Sequence, residues 1–291
     1  MRVYGSVRTP WEPGESEAYR RWRDAKLAAY PQRVEDLMVE IQNPRALTPA
    51  EKEAILSRCR RANMAIYKSS RALSKEDVRS LGRQLGLVRL DGNLCADEDG
   101  ITSLCVRPHG VHRHYIPYTD RPLSWHTDGY YNEPPNRVRA FITHCASPAA
   151  EGGENSLLDH EIAYILLREE NPDFVAAWMA EDAMTIPPNG AIRGARTGAV
   201  FAVVGGHLHM RYTARQHNIQ WHPRAKEAAD RFAALLAKPL PYRFNYRLAP
   251  GEGIVCNNVL HNRAGFKNGD GQERLVYRAR YYDRISENAQ A

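Results

Sequence analysis

Two histidines and an aspartate are the residues of this sequence best suited to hold a metal ion. His126 and Asp128 are separated by a single residue. In a β-strand, residues i and i+2 point to the same face, so an imidazole and a carboxylate would converge there. His261 is the best candidate for a third ligand. Together they would form a 2-His-1-carboxylate facial triad, which binds non-haem Fe(II) and leaves coordination positions open.

Each part of this pattern is weak by itself. An isolated His-x-Asp is most often a surface or capping pair, and a lone histidine such as His261 is more often a hydrogen-bonded residue at a strand end. The surrounding sequence favours the metal interpretation, because His261 follows a turn at 250–253 and a short apolar run at 254–256. We expect a hairpin there to return His261 to the side of the other two ligands.

Two arginines follow His261 at a spacing that suits a carboxylate-binding cavity. Arg274 comes 13 positions after residue 261, and Arg278 comes four positions later. In a strand over this segment the even-numbered positions share a face, so both guanidinium groups would enter the cavity that holds the metal. A guanidinium binds a carboxylate through two parallel charge-assisted hydrogen bonds, which would anchor a dicarboxylate. Two solvated arginines on an edge strand are the alternative interpretation.

Short strands must carry most of these residues. From about residue 101 onward, apolar runs alternate with clusters of Gly, Pro and Asn. The predicted strands are 104–106, 138–144, 199–204, 207–212, 242–248, 254–256 and 274–282, and the helices between them are 160–169 and 223–237. Many short strands with turn signals predict a sandwich or barrel of the jelly-roll type. The expected fold class is therefore mainly β with flanking helices (α+β).

The first hundred residues have a more helical pattern. Residues 1–30 are predicted to be an arm followed by a helix that begins after Ser16. Thr48, Pro49 and Glu51 predict a capped helix that runs to about residue 62. Further elements are expected at 37–41 (strand), 64–67 (strand) and from Ser74 to near 86 (helix). Because no repeat or linker is visible, we expect a single domain over residues 1–291.

The amino-acid composition indicates which broad class of protein this chain belongs to. Of the 291 residues, 43% are hydrophobic and 25% charged, which is typical of globular proteins. No apolar run approaches the ~18 residues of a membrane helix, and the first six residues lack the apolar core of a signal peptide. The five cysteines are scattered, which indicates reduced thiols and a cytoplasmic protein. The net charge of +6 is dispersed, so we expect no nucleic-acid or membrane partner, but a small acidic substrate. The sequence leaves open whether the chain forms a homo-oligomer.

Three runs of sequence resemble the taurine dioxygenase/TfdA superfamily of Fe(II)- and 2-oxoglutarate-dependent dioxygenases. They are 125–131 (WHTDGYY), 151–155 (EGGEN) and 258–263 (NVLHNR), followed by Arg274. The resemblance extends over roughly residues 35–283, with the order and spacing of the motifs kept. The Gly-Gly-Glu-Asn run is most similar to the γ-butyrobetaine hydroxylase branch. The resemblance implies a double-stranded β-helix of the clavaminate-synthase-like kind.

The resemblance also implies roles for individual residues. His126, Asp128 and His261 would bind Fe(II), and Arg274 would hold the distal carboxylate of 2-oxoglutarate. Asn155, with Ser156 beside it, would assist in binding that co-substrate. The implied reaction consumes O2, releases succinate and CO2, and hydroxylates or desaturates a small molecule. Asp128 argues against halogenation, because halogenating relatives replace this carboxylate with a small residue.

The substrate and two competing functions stay open. Arg278 occupies the position of a substrate-facing arginine in taurine dioxygenase, and Tyr118, Tyr130 and Tyr131 offer aromatic faces for an ammonium group. These residues favour an acidic or zwitterionic substrate, although core packing is the simpler role for the tyrosines. A non-catalytic β-helix protein that binds a small acid is one alternative. The other is a cupin-like metal enzyme that uses His207 and His209, and the roles of His112 and His114 are also open.

Overall fold

The computed structural model describes residues 9–92, 96–110, 112, 115–190, 192–215 and 219–286. The chain forms two compact units. The helical unit comprises Met1–Tyr30, His160–Met210 and Asn218–Leu240, and the sheet unit comprises Pro31–Asp159, Arg211–His217 and Pro241–Ala291. All ten residues predicted to bind metal, co-substrate or substrate belong to the sheet unit. The single domain expected over residues 1–291 stays a prediction.

The helices and strands are short, as the sequence predicts. The helices are α1 (Ser16–Ala29), α2 (Pro49–Ala62), α3 (Lys75–Gln84), α4 (His160–Glu170), α5 (Pro172–Met179) and α6 (Pro223–Leu236). The strands are β1 (Met38–Ile41), β2 (Met64–Ser69), β3 (Thr102–Leu104), β4 (Leu123–His126), β5 (Ala140–Ser147), β6 (Glu151–Gly152), β7 (Asn155–Leu158), β8 (Met184–Ile186), β9 (Arg196–Gly198), β10 (Phe201–Val204), β11 (His207–Met210), β12 (Gln220–Trp221), β13 (Phe244–Tyr246), β14 (Glu252–Cys256), β15 (Leu260–Arg263), β16 (Phe266–Lys267) and β17 (Leu275–Tyr281).

The helical unit contains α1, α4, α5 and α6 together with the strand group β12-β8-β9 and the hairpin β10-β11. Its core is aromatic: the rings of Trp178 and Trp221 stack with centroids 5.7 Å apart, and Phe201 and Phe232 pack against Trp178. The sequence analysis missed α5, which begins at an Asn-Pro pair that also suits a turn. Here Asn171 caps the helix and proline fits its first position, where no backbone N–H is needed.

The sheet unit contains a six-stranded sheet, β1-β2-β14-β5-β17-β3, and a four-stranded sheet, β13-β7-β15-β4. The pair β1-β2 is parallel and the other pairs of both sheets are antiparallel. Buried residues of the large sheet, among them Ile142 and Val255, share one hydrophobic cluster with Ile55 of α2 and Leu81 of α3. The structure is thus α+β with a large sheet, as expected. The double-stranded β-helix stays a prediction.

Two expectations about local structure can be compared directly with the coordinates. The capped helix after Thr48 is confirmed, since the Thr48 hydroxyl accepts from the N–H of Glu51 and the Glu51 carboxylate accepts from the N–H of Thr48. The hairpin before His261 is wrong, because β14 lies in the six-stranded sheet and β15 in the four-stranded sheet. Between them Asn258 adopts the left-handed conformation, with φ of 52°, and the chain passes from one sheet to the other.

Four cysteines, namely Cys59, Cys105, Cys145 and Cys256, have free thiols. Cys95 and His114 lie outside the described residues. In the part of the chain that the structure describes, no helix has the length and apolar character needed to cross a membrane.

Candidate metal centre and co-substrate cavity

His126, Asp128 and His261 converge on one point. His126 is the last residue of β4, and His261 lies directly opposite it on the neighbouring strand β15. One ligand atom from each of the three residues lies within 4.8 Å of the others. The two imidazole centroids are 4.2 Å apart, and Nε2 of His126 is 3.7 Å from Oδ1 of Asp128. The structure thus brings together the three ligands predicted from the sequence.

Backbone carbonyl groups orient both imidazoles. Nδ1 of His126 lies 2.9 Å from the carbonyl oxygen of Ser124, and Nδ1 of His261 lies 2.9 Å from that of Val259. A carbonyl oxygen only accepts, so Nδ1 carries the proton in each ring and Nε2 presents its lone pair. Burial lowers the pKa of His126 to about 3 and also lowers the pKa of His261. Both rings are therefore neutral, as metal ligation requires.

Asp128 is positioned differently from the sequence expectation. It lies two residues beyond β4, so the pleat of a strand does not aim it. Instead the backbone N–H of Asp128 donates to Oδ1 of Asn258 (2.8 Å), and Nδ2 of Asn258 donates to the carbonyl oxygens of Asp128 (2.9 Å) and Val138 (2.7 Å). Because Asn258 precedes His261 by three residues, one buried amide connects two ligand-bearing segments. This role of Asn258 was not predicted from the sequence, although the residue lies in the motif at 258–263.

The carboxylate of Asp128 has one oxygen bound and one free. Nη1 of Arg278 donates to Oδ1 (3.2 Å), and Nη1 of Arg280 lies 3.8 Å from the same atom. Burial favours a higher pKa for Asp128, but Arg278 and Arg280 hold that pKa below its ordinary value. Oδ2 is buried and has no hydrogen-bond partner within the described residues. A buried carboxylate oxygen without a partner, beside two Nε2 lone pairs, fits a metal cation.

A second polar network lies behind this carboxylate. Arg280 is buried and donates to the Tyr131 hydroxyl (3.0 Å) and to Asp91. Asp91 also accepts from the hydroxyl of Tyr282 (2.8 Å). Burial favours a lower pKa for Arg280, but Tyr131, Asp128 and Asp91 raise that pKa above its ordinary value. Neither Arg280 nor Asp91 was predicted from the sequence, although Arg280 continues the even-numbered alternation of Arg274 and Arg278.

Arg274 lies just before β17 and lines a cavity. The cavity is lined by Arg274, Asn155, Gly153, Cys145, Arg247 and Val276, among others. Arg274 is only 6% exposed, and its Nη1 atom has no hydrogen-bond partner within the described residues. Burial lowers its pKa to about 10, so the guanidinium stays charged at neutral pH. Asn155 faces this cavity, whereas its neighbour Ser156 is not among the lining residues, because successive residues of a strand face opposite sides.

Comparison with known proteins agrees with this geometry. Residues 28–280 match the family model "Taurine catabolism dioxygenase TauD, TfdA family". The chain belongs to the TauD/TfdA dioxygenase family. The resemblance predicted from the three motifs is thereby confirmed.

Individual relatives of this TauD/TfdA chain are distant. It is 28% identical over 199 residues to a uridine-5'-phosphate dioxygenase from a Streptomyces species, covering 64% of this chain and 71% of the relative. An asparagine oxygenase, solved with Fe(II), 3-hydroxyasparagine and succinate, has a TM-score of 0.61 at 14% identity and covers 92% of this chain and 85% of its own. A taurine dioxygenase from Burkholderia xenovorans has a TM-score of 0.60 at 14% identity, covering 87% and 89%. These solved structures share its fold.

The predicted aromatic residues of this TauD/TfdA protein have different surroundings. Tyr118 is buried in a small cluster with Leu104 and Val276, and the ring of His112 packs edge-on against it with centroids 4.6 Å apart. Tyr130 and Tyr131 form a half-buried T-shaped pair with centroids 5.2 Å apart. The structure therefore gives Tyr118 a packing role. A substrate role for any of the three tyrosines stays a prediction.

The second pair of histidines does not form a comparable site. His207 and His209 lie on β11 of the helical unit. Among the residues described by the structure, His126, Asp128 and His261 form the one group of three or more His, Cys, Asp or Glu side chains placed to share a metal. Because neither His207 nor His209 belongs to that group, nothing in this geometry favours the cupin-like alternative.

Proposed function

We propose that this TauD/TfdA family member is an Fe(II)- and 2-oxoglutarate-dependent oxygenase that hydroxylates or desaturates a small acidic or zwitterionic molecule. The observation that carries the proposal is the buried convergence of His126, Asp128 and His261 in the same unit as Arg274. Among the described residues, Oδ2 of Asp128 and Nη1 of Arg274 are two of the buried polar atoms that have no hydrogen-bond partner. The Asp128 oxygen suits a metal cation, and the Arg274 nitrogen suits a carboxylate. A dicarboxylate co-substrate bound to iron would bring both the cation and the carboxylate.

The metal would be held by Nε2 of His126, Nε2 of His261 and a carboxylate oxygen of Asp128. Two nitrogens and one oxygen in this arrangement form the donor set of non-haem Fe(II) oxygenases, and they leave coordination positions open. When bound, Fe(II) and 2-oxoglutarate supply the oxidising chemistry: O2 converts 2-oxoglutarate to succinate and CO2, and a C–H bond of the substrate is oxidised. The protein contributes ligand orientation and burial.

The Arg274 cavity would hold the distal carboxylate of 2-oxoglutarate. A guanidinium with a buried, unpartnered Nη1 gains strongly from a carboxylate, because the hydrogen bonds are charge-assisted and little water competes for them. Asn155 lines the same cavity and offers an amide to the ligand. We propose Asn155 as the assisting residue, while Ser156 faces the other side of β7.

The substrate is proposed to carry an acidic group bound by Arg278. This arginine is 8% exposed, and Asp128 is the carboxylate within its reach. If Asp128 also binds a divalent cation, that carboxylate compensates Arg278 only in part. An anionic substrate would supply the missing negative charge. The Tyr130–Tyr131 pair is proposed to contact an ammonium group when the substrate has one.

The test begins with anaerobic titration of the protein with Fe(II) and then with 2-oxoglutarate. O2-dependent formation of succinate is then measured with a panel of acidic and zwitterionic compounds. The names of the relatives supply the first three: uridine 5'-phosphate, taurine and asparagine. We expect Fe(II) and 2-oxoglutarate to bind, and succinate to form in the wild type but not in His126→Ala. Binding without turnover of any compound would instead favour the non-catalytic acid-binding alternative.

A further inference from the structure

We propose that Phe266 is the positioning residue for Arg274, and that its ring determines how tightly the distal carboxylate of 2-oxoglutarate is bound. This inference rests on the proposed function of the Arg274 cavity. The guanidinium carbon of Arg274 lies over the Phe266 ring, 5.1 Å from its centroid. Nη1 of Arg274 has no hydrogen-bond partner among the described residues. An aromatic face is therefore the contact that orients this charged group.

The Phe266 ring is itself held in place by its backbone. Phe266 belongs to β16, which pairs with β6 so that Phe266 lies opposite Gly152. Its N–H donates to the carbonyl oxygen of Asp120 (3.0 Å), and its side chain is only 6% exposed. A ring fixed at both backbone and side chain is a stable surface against which a flexible arginine can lie.

The double glycine of the EGGEN run lies beside the contact between the guanidinium and this ring. Gly152 has φ of 71°, and a Cβ there would lie 2.3 Å from the carbonyl oxygen of Gly265. A side chain at Gly152 would thus push β6 and β16 apart. Gly153 has φ of 81°, and a Cβ there would touch both Phe266 and Nε of Arg274 at 3.6 and 3.7 Å. The two glycines therefore border the contact between ring and guanidinium.

A second cation uses the same ring. The guanidinium carbon of Arg263 lies 4.8 Å from the Phe266 centroid. Arg263 donates to the carbonyl oxygens of Thr119 and Arg121, so its position is fixed. Burial, followed by the nearby charge of Arg274, lowers the pKa of Arg263 to about 9. The negative face of one ring thus offsets part of the repulsion between two buried cations, and a dicarboxylate would offset more.

Removal of the ring should weaken 2-oxoglutarate selectively. Cation–π contacts are worth up to about 1 kcal/mol at exposed sites and about 2 kcal/mol when desolvated, so loss of this orienting contact corresponds to roughly 5- to 30-fold in affinity. The experiment compares two ligands of the anaerobic Fe(II) protein: 2-oxoglutarate, and 2-oxobutyrate, which has the same 2-oxo acid but no distal carboxylate. We expect Phe266→Leu to weaken 2-oxoglutarate by about 5- to 30-fold and 2-oxobutyrate by less than about twofold. Phe266→Tyr, which keeps the aromatic face, should bind both ligands like the wild type.

Phe244→Leu is the matched control. Phe244 is buried on β13 of the same unit and pairs with Leu157, so its replacement removes similar packing without touching Arg274. We expect it to leave the ratio of the two affinities unchanged. Fluorinated phenylalanine at position 266 provides a second variant that retains the shape of the ring. Its affinity for 2-oxoglutarate should fall as fluorine is added, because fluorine weakens the negative face.

The outcomes separate the inference from the proposed function. The positioning role would be overturned if Phe266→Leu weakened the binding of both ligands equally, or if fluorinated rings left the affinity for 2-oxoglutarate unchanged. Either result would leave the proposed function of the Arg274 cavity intact. If Arg274→Ala binds 2-oxoglutarate like the wild type, the carboxylate lies elsewhere and both proposals fail.

Discussion

The metal centre and the Arg274 cavity belong to the same unit but differ in how their polar atoms are satisfied. In the candidate metal centre, hydrogen bonds fix the atoms that would not bind the metal: Nδ1 of both histidines and the backbone of Asp128. In the Arg274 cavity, a charged group is held by an aromatic ring and by packing, and its Nη1 has no partner within the described chain. Hydrogen bonds orient the first site before a ligand arrives, whereas the second site presents a cation that lacks a hydrogen bond at one buried nitrogen.

This difference predicts separable functions. A hydrogen-bonded ligand set tolerates little change, because removal of one partner leaves a buried polar group unsatisfied. By contrast, replacement of a buried cation that has no hydrogen-bonded partner should mainly weaken the binding of an anionic ligand. Changes near the triad should therefore alter metal affinity, and changes near Arg274 should alter co-substrate affinity alone.

The largest effect is expected from loss of a metal ligand. His261→Ala should reduce Fe(II) affinity by more than the roughly 100-fold that loss of an outer-shell partner costs, because it removes one of three ligand atoms. Anaerobic metal titration measures this affinity. His207→Ala, on the helical unit, is the control and should bind Fe(II) like the wild type. Loss of metal in His207→Ala instead would support the cupin-like alternative.

Arg274→Ala is the direct test of the comparison. Loss of a buried charged partner should cost about 2–5 kcal/mol of 2-oxoglutarate binding, while Fe(II) affinity stays within about twofold of the wild type. Titration of each ligand on the same preparation measures both. If iron binding collapses as well, the two regions are not separable and the comparison is wrong.

Asn258→Ala tests whether the amide positions Asp128. Outer-shell partners of metal ligands are worth roughly 10- to 100-fold in affinity, and we expect Fe(II) binding to weaken by that factor. Asn258→Gly separates the amide from the backbone, since glycine adopts the φ of 52° without strain. If Asn258→Gly binds Fe(II) with wild-type affinity, then the left-handed backbone at position 258, and not the amide, positions Asp128.

Arg278→Gln should reduce the formation of oxidised product more than the consumption of 2-oxoglutarate. Because glutamine keeps an N–H donor for Asp128 but removes the charge proposed to bind substrate, uncoupled consumption of 2-oxoglutarate should stay near the wild-type level. The yield of oxidised substrate per succinate should fall, by about tenfold if one charge-assisted hydrogen bond of roughly 1.5 kcal/mol is lost. An unchanged yield would contradict a substrate-binding role and would mean that Arg278 serves only as a hydrogen-bond partner of Asp128.

The smallest expected effect is on the pH dependence of metal binding. Burial lowers the pKa of His126 to about 3 and also lowers the pKa of His261, so both rings are already deprotonated near neutrality. Fe(II) affinity should therefore change little between about pH 6.5 and 7.5, because this range lies above the pKa of both histidines. Histidines that titrate near 6.5 would instead lose affinity as the pH falls, because protons would compete with the metal.

The candidate site was largely readable from the sequence because its residues fall in short, recognisable runs. His126 and Asp128 are separated by one residue, and Arg274 and Arg278 are four positions apart. Partners that come from elsewhere in the chain could not be recognised in this way. Asp91 meets Arg280 across 189 positions, and Asn258 meets Asp128 across 130. Hydrogen bonds over such separations depend on how strands pair, which no local pattern records.

By itself, the sequence predicted the candidate ligands and indicated the family and many local elements, because capping residues, turn signals and short motifs act over a few positions. The tertiary structure decided how these pieces meet. It placed β14 and β15 in different sheets, set Asp128 on a loop held by Asn258, and laid Arg274 against Phe266. The physical reason is that the sequence gives the type of each side chain, whereas its neighbours depend on how the chain packs. Packing also decides which polar atoms are buried without a hydrogen-bond partner.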